Sequence, residues 1–291
     1  MILSFHPLFE ADENIICAGR DPDPQDLAMI RAADAVILPQ GCRQSLYEMA
    51  RNNCEHVFPN YGARFQYPGK IGQIKLFRET KIPHPKTEIF QKVDSFRQQY
   101  GRKPRRLPFQ LPCVFKLNWG GEGDTVYLIQ SFEMLQERLQ QSESFERSGQ
   151  FGFLLQEYIP NRNRTLRVVI IGQCFKSYWR IQETSDSFLA NLSKGAVLNF
   201  ESDADLQIKA IGSIANFSKK TGIDLAGVDV IFSTEKRRKT PYLLEINYFF
   251  GRNGLGGSEA YYRILRHEIN SWLERIGLRY ETKEKHPSVR L

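Results

Sequence analysis

The sequence predicts an α/β protein made of α+β lobes. Three observations carry this. Short apolar runs alternate with helix-like segments over residues 1–66. Two strand pairs, 166–171 with 174–181 and 228–232 with 242–248, are rich in β-branched and aromatic residues and are each joined by a turn. Segments of helical periodicity separate and follow these pairs. At 291 residues, 41 % hydrophobic and 25 % charged, the chain is long enough to bury a core shared between two or three lobes.

Composition excludes several classes. No apolar run approaches the ~18 residues of a membrane span. Residues 1–6 have neither a basic n-region nor a cleavage site, so no signal peptide is expected. The five cysteines (Cys17, Cys42, Cys54, Cys113 and Cys174) are scattered without zinc spacing, which fits a reducing, cytoplasmic compartment. A net charge of +7 favours an anionic partner without naming one. Its basic clusters, 102–106 and 236–239, read first as solvated loops.

In chain order, 1–5, 14–18 and 35–38 read as strands, and 26–33 and 43–52 as helices, which favours a partly parallel sheet. No Gly-x-Gly-x-x-Gly occurs, so nothing supports a dinucleotide site. Over 67–81, Ile71, Ile74, Phe77 and Arg78 recur at helical spacing, and Ile82-Pro83 ends the helix. Lys70 stands at its start, where the helix dipole disfavours a cation, so an anionic partner explains it better than an exposed surface does.

Residues 112–117 read as a strand with Lys116 inside an apolar run. Gly120, Gly121 and Gly123 follow directly. Such a loop lets backbone N–H groups approach phosphate oxygens; a plain glycine-rich hairpin turn is the alternative. Residues 131–141 form an amphipathic helix, and 153–159 are mostly apolar. The hairpin of 166–171 and 174–181 turns at Gly172-Gln173 and carries Arg167 and Arg180, one on each strand. Arginine suits recognition of carboxylate or phosphate, although either could form an ordinary ion pair. A helix over 202–221 is expected to be capped by Asp203, to end at Gly222 and to bury Ile208, Ile211, Ala215 and Ser218. Ser258 is expected to cap a last helix with its core stripe on Tyr261, Ile264, Leu265, Ile269, Trp272, Leu273 and Ile276, and 281–291 form a polar tail.

The pair 228–232 and 242–248 brackets a basic turn. On alternation, Glu245 and Asn247 share one face, Leu244 and Ile246 take the other, and Asp229 joins the first two from the neighbouring strand. Two carboxylates and an amide oxygen make a hard-oxygen set that suits Mg²⁺ when substrate phosphates complete the coordination. A solvated polar face is the alternative, but the neighbours on both faces are mostly apolar.

Residues 224–229 (Asp-Leu-Ala-Gly-Val-Asp), then Leu-Glu-Ile-Asn at 244–247 and a glycine-rich turn, resemble the metal-binding end of the ATP-grasp superfamily, in particular the branch of ribosomal protein S6 glutamate ligase and glutathione synthetase. The likeness covers 67–257 well, covers 1–66 weakly, and rests on five ordered motifs. It implies two α+β lobes clamping a nucleotide, a small one over 67–155 with a glycine-rich flap and a large one over 156–280 with the metal site, behind a short N-terminal lobe. It further implies that Asp229, Glu245 and Asn247 bind two Mg²⁺ ions, or Mn²⁺, that carry ATP. Lys70 and Lys116 would hold phosphates under the flap of Gly120, Gly121 and Gly123. Gln156, Glu157, Tyr158 and Ile159 would meet the adenine. Thr165 falls near where the family has a ribose-binding carboxylate. Asn191 and Lys194 match positions that touch the triphosphate or the acyl intermediate, with Arg167, Arg180 and Arg252 around the reacting groups.

The sequence departs from that pattern at Leu189, often arginine in the family, and at Tyr248-Phe249-Phe250-Gly251, where Ser-Pro-Gly is common after the asparagine. The implied reaction joins a small-molecule or peptide carboxylate to an amine through an acyl phosphate. A kinase or a thioester-forming ligase is the alternative within the superfamily. Nucleic-acid binding ranks last, because the basic loops lack interleaved aromatic residues. Whether the chain forms a homo-oligomer is left open.

Overall fold

The computed structural model describes residues 1–101, 106–121, 123–183 and 195–278. Three sheets organise them. The first is parallel, in the order β2 (Glu13–Asn14), β1 (Ile2–Ser4), β3 (Ala35–Ile37), β4 (His56–Phe58). Helices α1 (Pro24–Ala32) and α2 (Gln44–Asn53) connect its strands. Leu3 and Val36 pack with Ile30, Leu46 and Ala50 on one face, whereas Ile2, Ala35 and Ile37 meet Leu265, Ile269 and Leu273 of the last helix, α8 (Gly257–Arg275), on the other. Burial on both faces is why β3 is continuously apolar, whereas the edge strand β2, Glu13–Asn14, is exposed and polar. The strand expected over 14–18 is reduced to Glu13–Asn14; the Ile15 N–H still donates to the Ser4 carbonyl, and Ala18 (φ 47°) and Gly19 (φ 81°) then turn the chain.

The second sheet is antiparallel, in the order β5 (Thr87–Phe90), β8 (Phe153–Glu157), β6 (Cys113–Leu117), β7 (Val126–Ile129). Its outer face carries α5 (Val93–Tyr100) and α6 (Phe132–Arg147) on a core of Phe90, Phe96, Phe115 and Phe153. Phe115 and Phe153 stack at 4.8 Å. Helix α6 runs past its expected end at 141. Ser142 is buried and donates to the Arg138 carbonyl, and Phe145 meets Trp119 edge-on at 5.4 Å. Short α3 (Gly62–Gln66), β4, β5, α5 and β7 have no counterpart in the sequence reading.

The third sheet is also antiparallel, in the order β11 (Val197–Asn199), β10 (Cys174–Ile181), β9 (Arg164–Ile171), β12 (Leu225–Ile231), β13 (Tyr242–Asn247). Helices α4 (Gly69–Thr80) and α7 (Ala204–Thr221) pack on Val168, Ile170, Val228 and Val230, while α8 packs on Val169, Ile171 and Leu225 behind them. Among the described residues, no helix is long and apolar enough to cross a membrane.

Three expectations are corrected. Helix α7 buries Gln207, Ala210, Ile214 and Phe217, and Ile208 is 71 % exposed. Gln207 can be buried because Ser177, Phe200 and Ser202 satisfy its amide. Asp203 stands at the N-cap position but with φ 47°, and its carboxylate takes Arg164 instead of capping. Ser258 lies inside α8, whose N-cap is Gly256, and its hydroxyl accepts from Arg252 at 3.3 Å.

Candidate active site

The inner face of the second sheet opposes the cleft edge of the third. On β6, Cys113, Phe115 and Leu117 enter the outer core, so alternation turns Val114 and Lys116 inward. On β8 the same rule turns Leu154 and Gln156 inward. Across the cleft stand Thr165, Arg180, Asp229, Ile231, Leu244 and Glu245, and residues 157–161 join the two walls.

Register brings the charged groups together. Asp229 pairs with Arg167 on β9 and with Glu245 on β13. Arg167 Nε donates to Asp229 Oδ1 at 2.5 Å and its NH2 to Oδ2 at 3.1 Å. Arg180 NH2 reaches Oδ1 at 2.6 Å, and Asn247 Nδ2 donates to Oδ2 at 3.2 Å. Burial alone would push the Asp229 carboxyl up, but Arg167 and Arg180 overcome it and hold it below the ordinary range. Arg167 responds in kind: burial opposes its charge, and Asp229 restores it. Gly227 makes this possible, since a Cβ there would lie 2.8 Å from Arg167 NH1.

The two lysines are buried as well. Burial pulls the Lys116 ammonium down to about 8, with Lys70 adding repulsion and Glu245 and Asp229 opposing the shift. Lys70 is buried and also lowered. Its Nζ donates to the carbonyls of Trp119 at 3.1 Å and Gly120 at 2.9 Å. The expected anion at the helix start is thus met by loop carbonyls, with Glu245 as the nearest opposing charge. Gly120 takes φ 86° and lies so close to Thr125 that a Cβ would sit 2.5 Å from its methyl. Of the loop glycines, Gly123 lines the cleft, Gly120 anchors Lys70, and Gly121 has open space around it.

One strand departs from simple alternation. The β12–β13 register shifts between Asp229 and Val230, so Asp229 faces Glu245 while Val230 faces Leu243. Leu244 is the extra residue of this bulge. Leu243 and Ile246 enter the core, and Leu244 turns into the cleft beside Glu245. The expectation that Leu244 shares the face of Ile246 is therefore wrong.

At the joining segment, Gln156, Glu157, Tyr158, Ile159 and Thr165 all line the cleft. Pro85, Val114, Val126, Asn161, Ile231 and Leu244 line it too and were missed. Val114 and Ile231 each lie two residues from a named charge, so alternation could have found them; the bulge hid Leu244. Arg252 stands apart from this cleft. Its guanidinium lies 5.0 Å from the Tyr261 ring and 4.5 Å from the Tyr262 ring, and together with burial it lowers His6 to about 4. Asn191 and Lys194 lie outside the described residues.

Does the donor set fit magnesium? Asp229 receives four donors on two oxygens, which occupies its lone pairs. Among the described residues, no three His, Cys, Asp or Glu side chains converge. Glu245 and the Asn247 carbonyl oxygen fit a hard cation. They fit it together with oxygens carried by a ligand, because four nearby cations already outnumber two carboxylates.

The RimK-like ATP-grasp domain family matches residues 68–266. No curated protein matches the chain in sequence. A RimK domain ATP-grasp protein from Sphaerobacter thermophilus superposes with a TM-score of 0.59 at 12 % identity, covering 92 % of this chain and 98 % of that one. The L-amino acid ligase from Bacillus licheniformis gives 0.56 at 11 % identity, covering 87 % and 63 %. The ADP complex of N5-carboxyaminoimidazole ribonucleotide synthetase gives 0.53 at 11 % identity, covering 84 % and 62 %. The chain thus spans less than two thirds of the length of these last two, and at such identities the likeness shows the ATP-grasp fold alone. With the matched region taking in both antiparallel sheets and the cleft between them, the chain belongs to the RimK-like ATP-grasp family.

Proposed function

We propose that this protein is an ATP-dependent carboxylate–amine ligase acting on small-molecule or peptide substrates, with residues 67–155 and 156–280 as its clamping lobes. The observation that carries this is the set of buried Asp229, Arg167 and Arg180 with half-buried Asn247, of which Asp229 and Arg180 line one cleft with Lys116. Four cations meet two carboxylates there, a surplus of two positive charges. That complements the charge of about −2 on a magnesium-bound triphosphate. The L-amino acid ligase among the structural neighbours supports amino-acid or peptide substrates.

In this reading the apolar walls Val114, Ile231 and Leu244 enclose the base, and Gln156 to Ile159 meet its polar edge. Thr165 reaches the ribose with a single hydroxyl. Lys116 and Lys70 hold phosphates, with Gly123 approaching from the flap. Magnesium bound by Glu245 and Asn247, with Asp229 released in part from its arginines, would neutralise charge on the transferring phosphoryl group. The acceptor carboxylate attacks the γ-phosphorus, the bond to the β-bridging oxygen breaks, and ADP leaves. Arg180 and Arg167 stand beside the place where charge collects on the acyl phosphate. An amine then attacks the acyl carbon and phosphate departs. Arg252 lies beyond the metal strand, on the side where an acceptor would enter.

Thermal shift with Mg·ATP, followed by separate assays of ADP and phosphate over amino acids and small peptides, tests the proposal. The expected result is ATP-dependent stabilisation, absent in Asp229→Ala, and equal release of ADP and phosphate with one acceptor pair. ADP without free phosphate would instead mark a kinase.

A further inference from the structure

Gln156 is the one neutral amide in the inner face of the second sheet that is both buried and at the cleft. Its cross-strand neighbours are Thr87 on β5 and Val114 on β6. A glutamine amide can present either its oxygen or its nitrogen to a ligand, and rotation by about 180° exchanges the two. Here the exchange is blocked by a chain of hydrogen bonds. The Thr87 hydroxyl donates to the Pro85 carbonyl at 2.8 Å. Its one hydrogen is thereby used, so its oxygen can only accept. Gln156 Nε2 donates to that oxygen at 2.9 Å. Thr87 is itself held, since Arg78 donates to its backbone carbonyl. With Nε2 on Thr87, the planar amide turns Oε1 away from β5, and Gln156 lines the cleft.

We propose that Thr87, which stands behind Gln156 and off the cleft lining, is a specificity-determining positioning residue: it fixes Gln156 as an acceptor and so selects a purine bearing a 6-amino group over one bearing a 6-oxo group. The inference rests on the nucleotide cleft proposed above. A 6-amino group donates to Oε1. A 6-oxo group would set one acceptor against another, leaving both unpaired where water is scarce. Without Thr87 the amide can turn over, offer Nε2 to the 6-oxo oxygen and accept both bases.

The test measures binding of Mg·ATP and Mg·ITP to the full chain and to three variants. ITP carries a 6-oxo group and, with it, a hydrogen on N1 where ATP has an acceptor; the N1 difference is common to wild type and variants, so the change in the affinity ratio between them isolates the Gln156 contact. Wild type is expected to favour ATP by roughly 10- to 100-fold. Thr87→Val keeps the shape, loses the relay, and should lower the ratio about tenfold from that of wild type. Thr87→Ser keeps the hydroxyl and should keep the wild-type ratio. In the double variant Thr87→Val, Gln156→Glu, an ionised carboxylate has no donor to rotate into place, so selectivity should return; if Thr87→Val folds poorly, the wild-type ratio still tests the proposal. A Thr87→Val ratio equal to that of wild type would overturn the proposal while leaving the nucleotide cleft intact, as would wild-type binding of ITP as tight as ATP. Failure of both nucleotides to bind wild type would overturn the cleft and this inference together.

Discussion

Asp229 carries more of the local electrostatics than any other side chain in the cleft, because it is the counter-charge to two buried arginines. Asp229→Asn keeps the volume and removes the charge. It should therefore lower the stability of the nucleotide-free protein by about 3 kcal/mol or more, the cost of leaving buried guanidinium groups unpaired. Urea denaturation at pH 7 reads this directly, and a variant as stable as wild type would mean that the arginines have other partners. Magnesium alone should leave the wild-type melting temperature unchanged, since the donors that fit a cation need oxygens from the nucleotide.

Lys116 adds a pH dependence. Its folded value of about 8 lies below the ordinary 10.5, so the ammonium is present below pH 8 and lost above it. Affinity for ATP should hold near neutrality and fall by up to about tenfold per pH unit above 8, and Lys116→Met should flatten that limb in a binding titration. The oxygen-bearing trio was legible at this scale, because period-two alternation needs only the strand itself. The arginine pairing of Asp229 was not, since it depends on which strands become neighbours.

At the scale of the element, readings failed where tertiary contact overrode a local rule. The bulge at Leu244 is set by how β13 pairs with β12, and nothing within residues 242–247 announces it. Helix α7 was read with its face rotated, because a hydrophobic stripe ranked Ile208 above Gln207. Helix α4 offers a sharper case. Gly72 lies in its first turns, where alanine is favoured by about 1 kcal/mol on propensity. Yet a Cβ at Gly72 would sit 2.3 Å from the Tyr67 carbonyl carbon, and backbone cannot move aside as a side chain tip can. Gly72→Ala should thus destabilise by about 1–3 kcal/mol despite its helical gain. Because α4 also carries Lys70, and because Gln73 exchanges hydrogen bonds with the Ile246 backbone at 2.8 and 2.9 Å, nucleotide binding should weaken alongside. Parallel measurements of melting temperature and ATP affinity check both effects, and an unchanged melting temperature would show that the helix entrance has room to shift.

Across the whole molecule, the alternation of strands and helices was enough to read a partly parallel N-terminal lobe ahead of two strand pairs. How that lobe seats on the rest was beyond reach, because the contacts join residues some 160 to 220 positions apart. Gln40 Nε2 donates to the Tyr248 carbonyl at 3.1 Å, and the Asn60 N–H donates to Asp224 Oδ1 at 2.8 Å. Asp224 gives this junction a titration of its own. Burial pushes its carboxyl up to about 7, partly offset by the Asn60 N–H and its own backbone N–H. The native chain therefore keeps a proton that the unfolded chain releases from about pH 4 upward. Stability contributed here is greatest below pH 4, declines as pH rises to about 7, and is level beyond. Asp224→Asn should remove that decline, because a neutral amide oxygen still accepts from Asn60 and no charge has to be buried. The variant should match wild type near pH 4 and exceed it by roughly 1–3 kcal/mol at pH 7.5, read by denaturant unfolding at the two pH values. Equal destabilisation at both would mean that Asp224 is held as a carboxylate by a cation, and the lobes would then be joined by an ion pair instead of a neutral hydrogen bond.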